Sequence, residues 1–549
     1  MTERNFGRRR VLNLLLAGSA LAAMPACANA PERSLRPELR RAPPVEGIVS
    51  RAGLGGDVAF AVMDIRSGNL LEGQGANQPM PPASVAKAIT ALYALDALGA
   101  SYQFRTRLVA TGPVVDGVLR GDLVLAGGGD PVLETDHLAA MAAELARGGV
   151  RQVTGRFLVW GGALPFTPEI TDDQSPQAGY NPSVSGLNLN FNRVHFEWRR
   201  AGTDYTVTMD GRSNRHRPAV SMAQMQVAAR SAPLYTYRRT ASRDEWSVAR
   251  SALGNSGSRW LPVRHPELYA GEVFRVLAAG QGITLGAPEV TRTSPQGQDL
   301  VTHRSPALQA MLRDLLRFST NISAEAVGMT ATASRVGRPG SLAASGAAMS
   351  DWARGRYGMT SARLVDHSGL GAASRVGMAD LAQMFRQAGA DGTLRAILRE
   401  HPFRDGNGRI IADPGLDVRA KTGTLYFVSA LGGYLSAPGG RDMAFAICSA
   451  DLPRRARVAG VVRPLEVGQR PRARRLGPGD VDVLGELGGV GQHVDVVLAA
   501  LEEPPVHRDD DAAAVEGRDP HRAGVQPHDH RHVPGQDPEL AVDRAPVHR

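Results

Sequence analysis

The chain has 549 residues, 43% of them hydrophobic and 21% charged, with two cysteines and a formal net charge of +9. That length allows several globular domains, and so few cysteines exclude a disulfide-stapled scaffold. The positive charge is scattered, with no basic run interleaved with aromatics, so the composition does not indicate a nucleic-acid partner. One imbalance stands out: 61 of the 63 basic residues are arginine, and the two lysines are Lys87 and Lys421. GC-rich coding accounts for an arginine excess by itself. Arginine, however, stays protonated in a protein, whereas a desolvated lysine can lose its proton and act as a base.

Residues 1–30 read as an export signal. Arg8-Arg9-Arg10 precede an apolar run, Val11 to Ala23, that is too short to span a bilayer, and small residues follow up to Ala30. The paired arginines are similar to a twin-arginine signal, with Gly7 where Ser or Thr is usual. An exported, periplasmic protein with no stable transmembrane anchor is expected. Cleavage would leave one cysteine, Cys448, in the apolar run Met443–Ile447 and beyond, where a buried structural thiol is expected.

The run from Val58 to Ile65 predicts a buried strand, Arg66-Ser67-Gly68-Asn69 a turn, and Leu70-Leu71 the start of a return strand. A helix is predicted from Ser84, with Val85, Ala88, Ile89, Leu92 and Leu95 at helical spacing and Gly99 as its stop. Between about 100 and 295 short β-like runs alternate with helical stretches at "DHLAAMAAELARGG" and "PELYAGEVFRVLAAGQGI". Helical texture returns at Ser305–Gly328, 345–357 and 377–399, and the strand pair Ala420–Ser436 and Asp442–Ser449 follows. No cofactor or metal is expected. Gly127-Gly128-Gly129-Asp130-Pro131 lacks the Gly-Lys-Ser/Thr ending of a phosphate loop and reads as a tight turn. The cluster His528-Asp529-His530-Arg531-His532 falls in an anomalous tail.

From Arg454 to Arg549 the chain uses only Arg, Ala, Val, Gly, Pro, Leu, Glu, Gln, Asp and His. These ten are the residues encoded by codons that begin with G or C. We therefore expect this segment to be an out-of-frame, disordered tail, with a GC-saturated third codon position read as the first. A verified reading frame running intact through codon 454 would refute this.

Three short motifs carry chemistry. Ser84 and Lys87 lie three apart at a helix start, on one face, so a lysine with a lowered pKa could take the proton of a serine nucleophile. Ser319-Thr320-Asn321 supplies a hydroxyl that can relay a proton and an amide that can hold a peptide bond. In Lys421-Thr422-Gly423-Thr424, strand alternation puts Thr422 and Thr424 on one face, where they could bind a carboxylate. Gly423 removes a side chain that would block a substrate lying alongside, and Lys421 adds positive charge. Singly, each pattern also occurs by chance in an ordinary helix, loop or strand.

In the order Ser-x-x-Lys, Ser-x-Asn, Lys-Thr-Gly, the motifs match the signature of β-lactamases and penicillin-binding proteins. Both lysines of the chain fall inside it. Some 235 residues separate Ser84 from Ser319, and this long insert resembles the class C low-molecular-mass penicillin-binding proteins, the D-alanyl-D-alanine carboxypeptidase/endopeptidase family. "GGGDPVL", "SGLNLNFNRV" (taken as a strand in the insert) and "DHSGLG" are similar to further stretches of that family. Thr320 stands where Asp is common, and His367 follows Asp366 where the family has glycine.

The resemblance covers roughly residues 45–453. It implies an α/β (α+β) penicillin-binding/β-lactamase-like catalytic domain, an antiparallel sheet flanked by helices, with two inserted β-rich or mixed domains. The expected division is 31–100 and 296–453 for the catalytic domain, 101–178 and 262–295 for inserted domain II, and 179–261 for inserted domain III. The implied chemistry is acylation of Ser84 by a peptidoglycan stem peptide or crosslink. Lys87 would be the base and Ser319 the proton relay to the leaving amine. Asn321, Lys421, Thr422, Gly423 and Thr424 would bind substrate, and the backbone N–H groups of Ser84 and Thr424 would form the oxyanion hole. β-Lactam antibiotics would inhibit by the same acylation. The alternatives are a serine β-lactamase, although no Glu-x-x-Leu-Asn segment lies between Asn321 and Lys421, and an inactive peptidoglycan-binding relic whose truncated sheet exposes apolar surface.

Overall fold

The computed structural model describes residues 55–389, 392–402, 410, 416–437 and 440–457. The expected export signal, residues 1–30, and the tail beyond 457 lie outside the described residues. The strand read at Val58–Ile65 is β1 (Asp57–Asp64), and β2 (Leu70–Gln74) returns against it. The Asp64 carboxylate accepts the Ser67 N–H at 2.8 Å, and Gly68 at φ +77° closes the turn. With β3 (Arg399–Glu400), β4 (Asp417–Leu425), β5 (Val428–Ala437) and β6 (Arg441–Ala450), these strands form a six-stranded sheet in the order β3-β4-β5-β6-β1-β2. Every pairing in it is antiparallel.

Both faces of the sheet are apolar, which explains the continuous rather than alternating hydrophobic runs of β1, β5 and β6. Ala59, Ala61, Ala444 and Ala446 face a core built with the helices. On the opposite face Phe60, Met443 and Phe445 are 2%, 2% and 3% exposed. The exposed apolar face expected of a truncated sheet is therefore not present at these positions. Cys448 is buried, and its thiol donates to the Pro81 carbonyl at 3.4 Å.

The helix predicted from Ser84 begins as a 3₁₀ turn, Ala83–Val85, and continues as α1 (Ala86–Leu98). Gly99, at φ +80°, ends it and donates its N–H to the Leu95 carbonyl. Every residue from Ala86 to Ala91 is buried, and half of them are alanine, so neighbouring helices close in on all sides. These are α2 (Leu308–Phe318), α3 (Asn321–Val336) and α4 (Leu342–Tyr357), while α5 (Met378–Ala388) lies across β6 and β1. The helical texture read across Ser305–Gly328 is thus two helices. The break falls at Ser319-Thr320, where Ser319 caps α2 in the left-handed region at φ +61°.

The residues between α1 and α2 build sheets of their own and a second core around Phe157, Phe196, Trp246 and Phe274. One sheet has five strands, and strands Arg193–Ala201 and Asp244–Ala249 centre two three-stranded sheets. The predicted helices are Thr135–Arg147 and Pro266–Gly280. "SGLNLNFNRV" is not a strand along its length. Asn190, Phe191 and Asn192 all have positive φ, and a strand starts only at Arg193. Asparagine tolerates that conformation, and here the buried Asn188 and Asn192 amides satisfy the local backbone. At the other end, residues 452–457 form a helical turn with Leu452 packed on the core.

Candidate active site

Ser84 sits in the 3₁₀ turn between Pro82 and α1, and Lys87 is the second residue of α1. The preceding residue, Ala83, has φ +46°, so non-glycine residues in strained conformations mark both Ser84 and Ser319. Lys87 is fully buried, and its Nζ lies 2.8 Å from Ser84 Oγ, 2.7 Å from Asn321 Oδ1 and 2.8 Å from the Ser368 carbonyl. Asn321 Nδ2 donates to the Tyr180 carbonyl at 2.8 Å. A carbonyl can only accept, so Tyr180 fixes the amide with its oxygen towards Lys87.

These contacts define what Lys87 can do. As a neutral amine it has two N–H bonds and one lone pair. Asn321 Oδ1 and the Ser368 carbonyl accept only, so both N–H bonds point at them. The lone pair then faces the one partner with a proton to give, the Ser84 hydroxyl. Burial lowers the Lys87 pKa from 10.5 to about 7, against the opposing pull of Glu325 and Asp366. Near neutrality a large share of the amine is therefore in the basic form.

Glu325 and Asp366, both buried beneath the site, are pushed up by burial, while the N–H groups that Glu325 accepts and the charge of Lys87 pull Glu325 back towards its ionised form. Lys421 is also buried, and its pKa is lowered well below the usual lysine range by burial, then by the charges of Lys87 and Arg399. Its Nζ donates to the Thr422 carbonyl at 2.7 Å, not to Ser319.

The strand β4 carries Lys421 and Gly423 on the face towards Ser84, opposite Gly432 and Ala430 of β5. A Cβ on Gly423 would lie 2.8 Å from the Pro82 oxygen and 2.9 Å from Ser84 N. The clearance that the sequence reading assigned to a substrate is thus taken by the turn that carries Ser84. Thr422 and Thr424 face the other way, half-buried and exposed respectively. β3 pairs only with Arg419 and Ala420, so among the described residues the outer edge of Lys421–Leu425 is open to an extended peptide.

The structure therefore joins Ser84, Lys87 and Asn321 by hydrogen bonds and packs Gly423 on the nucleophile turn. Ser319 stands two residues before Asn321 and makes no hydrogen bond to Lys87. Sequence reasoning missed Glu325, Ser368 and Tyr180. A lone acid one turn after Asn321 in an apolar helix was a signal for Glu325. Tyr180 and Ser368 contribute backbone carbonyls, which any residue could supply, so they carried no signal. No group of metal-ligating side chains occurs among the described residues.

A serine hydroxyl hydrogen-bonded to a buried lysine beside an antiparallel sheet is the arrangement that a serine acyl-transfer enzyme of the penicillin-binding fold requires. The comparisons with known proteins agree. Residues 45–462 match the D-Ala-D-Ala carboxypeptidase 3 (S13) family, and the chain belongs to it. It is 29% identical over 525 residues to the D-alanyl-D-alanine carboxypeptidase of Actinomadura sp. (strain R39), covering 88% of this chain and 95% of that one. It is 23% identical over 438 residues to D-alanyl-D-alanine carboxypeptidase DacB of Haemophilus influenzae, covering 73% and 87%. The crystal structure of penicillin-binding protein 4 from H. influenzae superposes with a TM-score of 0.60 at 20% identity, over 72% of this chain and 91% of that one, which shows the fold.

Proposed function

We propose that this chain is a serine-type D-Ala-D-Ala carboxypeptidase that also opens the corresponding crosslinks as an endopeptidase. The observation that carries the reading is the Ser84–Lys87–Asn321 triangle, with the lysine lone pair left for the serine proton. Lys87 takes that proton as Ser84 Oγ bonds to the penultimate D-alanine carbonyl carbon. The oxyanion is held by the backbone N–H groups of Ser84 and Thr424, each worth roughly 3–4 kcal/mol in barrier terms. Collapse breaks the C–N bond, and the proton passes from Lys87 through Ser319 to the leaving amine. Water then hydrolyses the ester and regenerates Ser84. Asn321 orients the peptide, Gly423 lets β4 approach the nucleophile, and Lys421, Thr422 and Thr424 hold the terminal carboxylate.

β-Lactams would acylate Ser84 and stay bound. The H. influenzae penicillin-binding protein 4 is known as a complex with a β-lactam. The reading includes export to the periplasm under the twin-arginine-like signal. Among the described residues no helix is long and apolar enough to cross a membrane. It also includes the division into a catalytic domain (31–100 and 296–453) and inserted domains II and III, supported by the separate cores on either side of residue 105 and of residue 305. The test is covalent labelling by a fluorescent penicillin together with D-alanine release from a peptide ending in D-Ala-D-Ala. Both should be present in the full chain and abolished in Ser84→Ala. Labelling that survives Ser84→Ala would overturn the assignment.

A further inference from the structure

The Ser368 carbonyl is one of the two acceptors that direct the Lys87 lone pair, and it sits in a loop, 366–371, with no regular structure to fix it. What fixes it is a set of buried side chains. Glu325 Oε2 accepts the His367 N–H and Oε1 accepts the Ser368 N–H, each at 2.9 Å. Thr90 of α1 donates its hydroxyl to the His367 carbonyl at 2.6 Å. Asp366 closes the loop on itself through the Gly369 and Gly371 N–H groups. Gly369, at φ +75°, presses on the nucleophile turn so closely that a Cβ would fall 1.9 Å from the Ala83 oxygen.

Glu325 lies one turn after Asn321 on α3, so both project from one face. One helix thus supplies one acceptor for Lys87 directly and places the other through a carboxylate. We propose that Glu325 is a positioning residue for the base: by gripping two successive amides it holds the Ser368 carbonyl against Lys87, which directs the lysine lone pair to Ser84. The proposal rests on Lys87 being the base of the acylation described above.

Without the Ser368 acceptor, Lys87 could donate an N–H to Ser84 Oγ and turn its lone pair elsewhere. Glu325 also acts through charge. The charged groups that bear on Lys87 are Glu325 from α3 and Asp366 from the loop, which favour its protonated form. Lys421 from β4 feels Lys87 in turn, and Asp173 from the insert bears on Asp366. Glu325 thus orients the amine and raises the pH at which it becomes a base.

The test is the pH profile of fluorescent-penicillin acylation, as a second-order rate normalised to active sites, in the full chain. In Glu325→Gln the amide can accept only one of the two N–H groups, and the charge is gone. The plateau rate should fall about tenfold or more, a part of the 10²–10⁴ that a positioned base contributes, and the acid limb should move to lower pH. Thr90→Val loosens the same loop with the carboxylate intact, so its plateau should fall with the limb unmoved. A Glu325→Gln plateau within twofold of wild type, or a limb that stays put, overturns the proposal. If that variant does not fold, a wild-type plateau in Thr90→Val overturns it. A wild-type chain that is not labelled would instead defeat the acyl-enzyme reading, and the proposal with it.

Discussion

Gly423→Ala tests the packing that brings β4 to the nucleophile. The added Cβ would lie 2.8 Å from the Pro82 oxygen, 2.9 Å from Ser84 N and 3.0 Å from Ala83 Cβ. None of these is the far end of a flexible side chain. Ala83 is held at φ +46°, and Ser84 is the middle residue of the 3₁₀ turn that leads into a helix buried on all sides. Restoring ordinary contacts of ~3.5 Å requires the strand or the turn to retreat by roughly 0.5 Å. Overpacking of this kind costs about 1–3 kcal/mol of stability. Because misplacement by ~1 Å can cost on the order of 100-fold in rate, a half-ångström retreat should cost about tenfold. The assay is the rate of fluorescent-penicillin labelling beside a denaturant unfolding curve. Gly355→Ala is the control, since no atom lies within 4 Å of its Cβ in the body of α4. It should gain about 0.5–1 kcal/mol and label as wild type. A Gly423→Ala protein with wild-type labelling and stability would refute the reasoning.

Two further expectations concern the base and the insert. Acylation should rise with pH through about 7, where Lys87 loses its proton. Lys87→Arg, permanently protonated, should lose it by a factor on the order of 10²–10⁴ at every pH. A flat profile between pH 5 and 9 would contradict the lowered pKa. Arg264 donates to the Pro168 and Asn181 carbonyls at 2.8 and 2.7 Å, and its backbone N–H meets the buried Asp244. Arg264→Met leaves those carbonyls unpaired and Asp244 without its neighbouring cation, so unfolding should become about 3–5 kcal/mol easier. The segment it anchors carries Tyr180, whose carbonyl orients Asn321, so labelling should slow as well. An unchanged unfolding midpoint would count against this account.

What the sequence revealed followed from how local each signal is. The nucleophile helix was readable from Val85, Ala88, Ile89 and the Gly99 stop, because periodicity and a C-terminal glycine act within a few residues. The central hairpin was not: Ala420–Ser436 read as one strand, whereas the structure turns the chain at Tyr426-Phe427 between β4 and β5, and neither aromatic is a residue that signals a turn. The break at Ser319 was not, since tertiary packing imposes a left-handed serine that propensity disfavours. Nor was the role of Gly423, which depends on a strand and a turn more than 300 residues apart in the chain. The site's acceptors were legible only where they are side chains. Asn321 was readable within its motif, whereas the carbonyls of Tyr180 and Ser368 are defined by position alone.

The scarcity of lysine acquires a physical meaning once both copies are seen buried in one site. Two ammonium groups so placed repel, and burial followed by the charge of Lys87 lowers the Lys421 pKa well below the usual lysine range. Lys421 can therefore give up a proton more readily than an ordinary lysine, while burial holds Lys87 at about 7 against the pull of Glu325 and Asp366. Arginine at 421 could not yield. Its charge would persist, and the repulsion would move onto Lys87 and favour the neutral amine. Lys421→Arg should thus shift the acid limb of acylation to lower pH, with a reduced plateau because the larger guanidinium must fit a fully buried site. Lys421→Gln removes the repulsion altogether and should not shift the limb to lower pH. The same labelling profile measures both. If Lys421→Arg left the limb in place or raised it, the two lysines would be electrostatically independent. Nothing about the chemistry would then require both to be lysine rather than arginine.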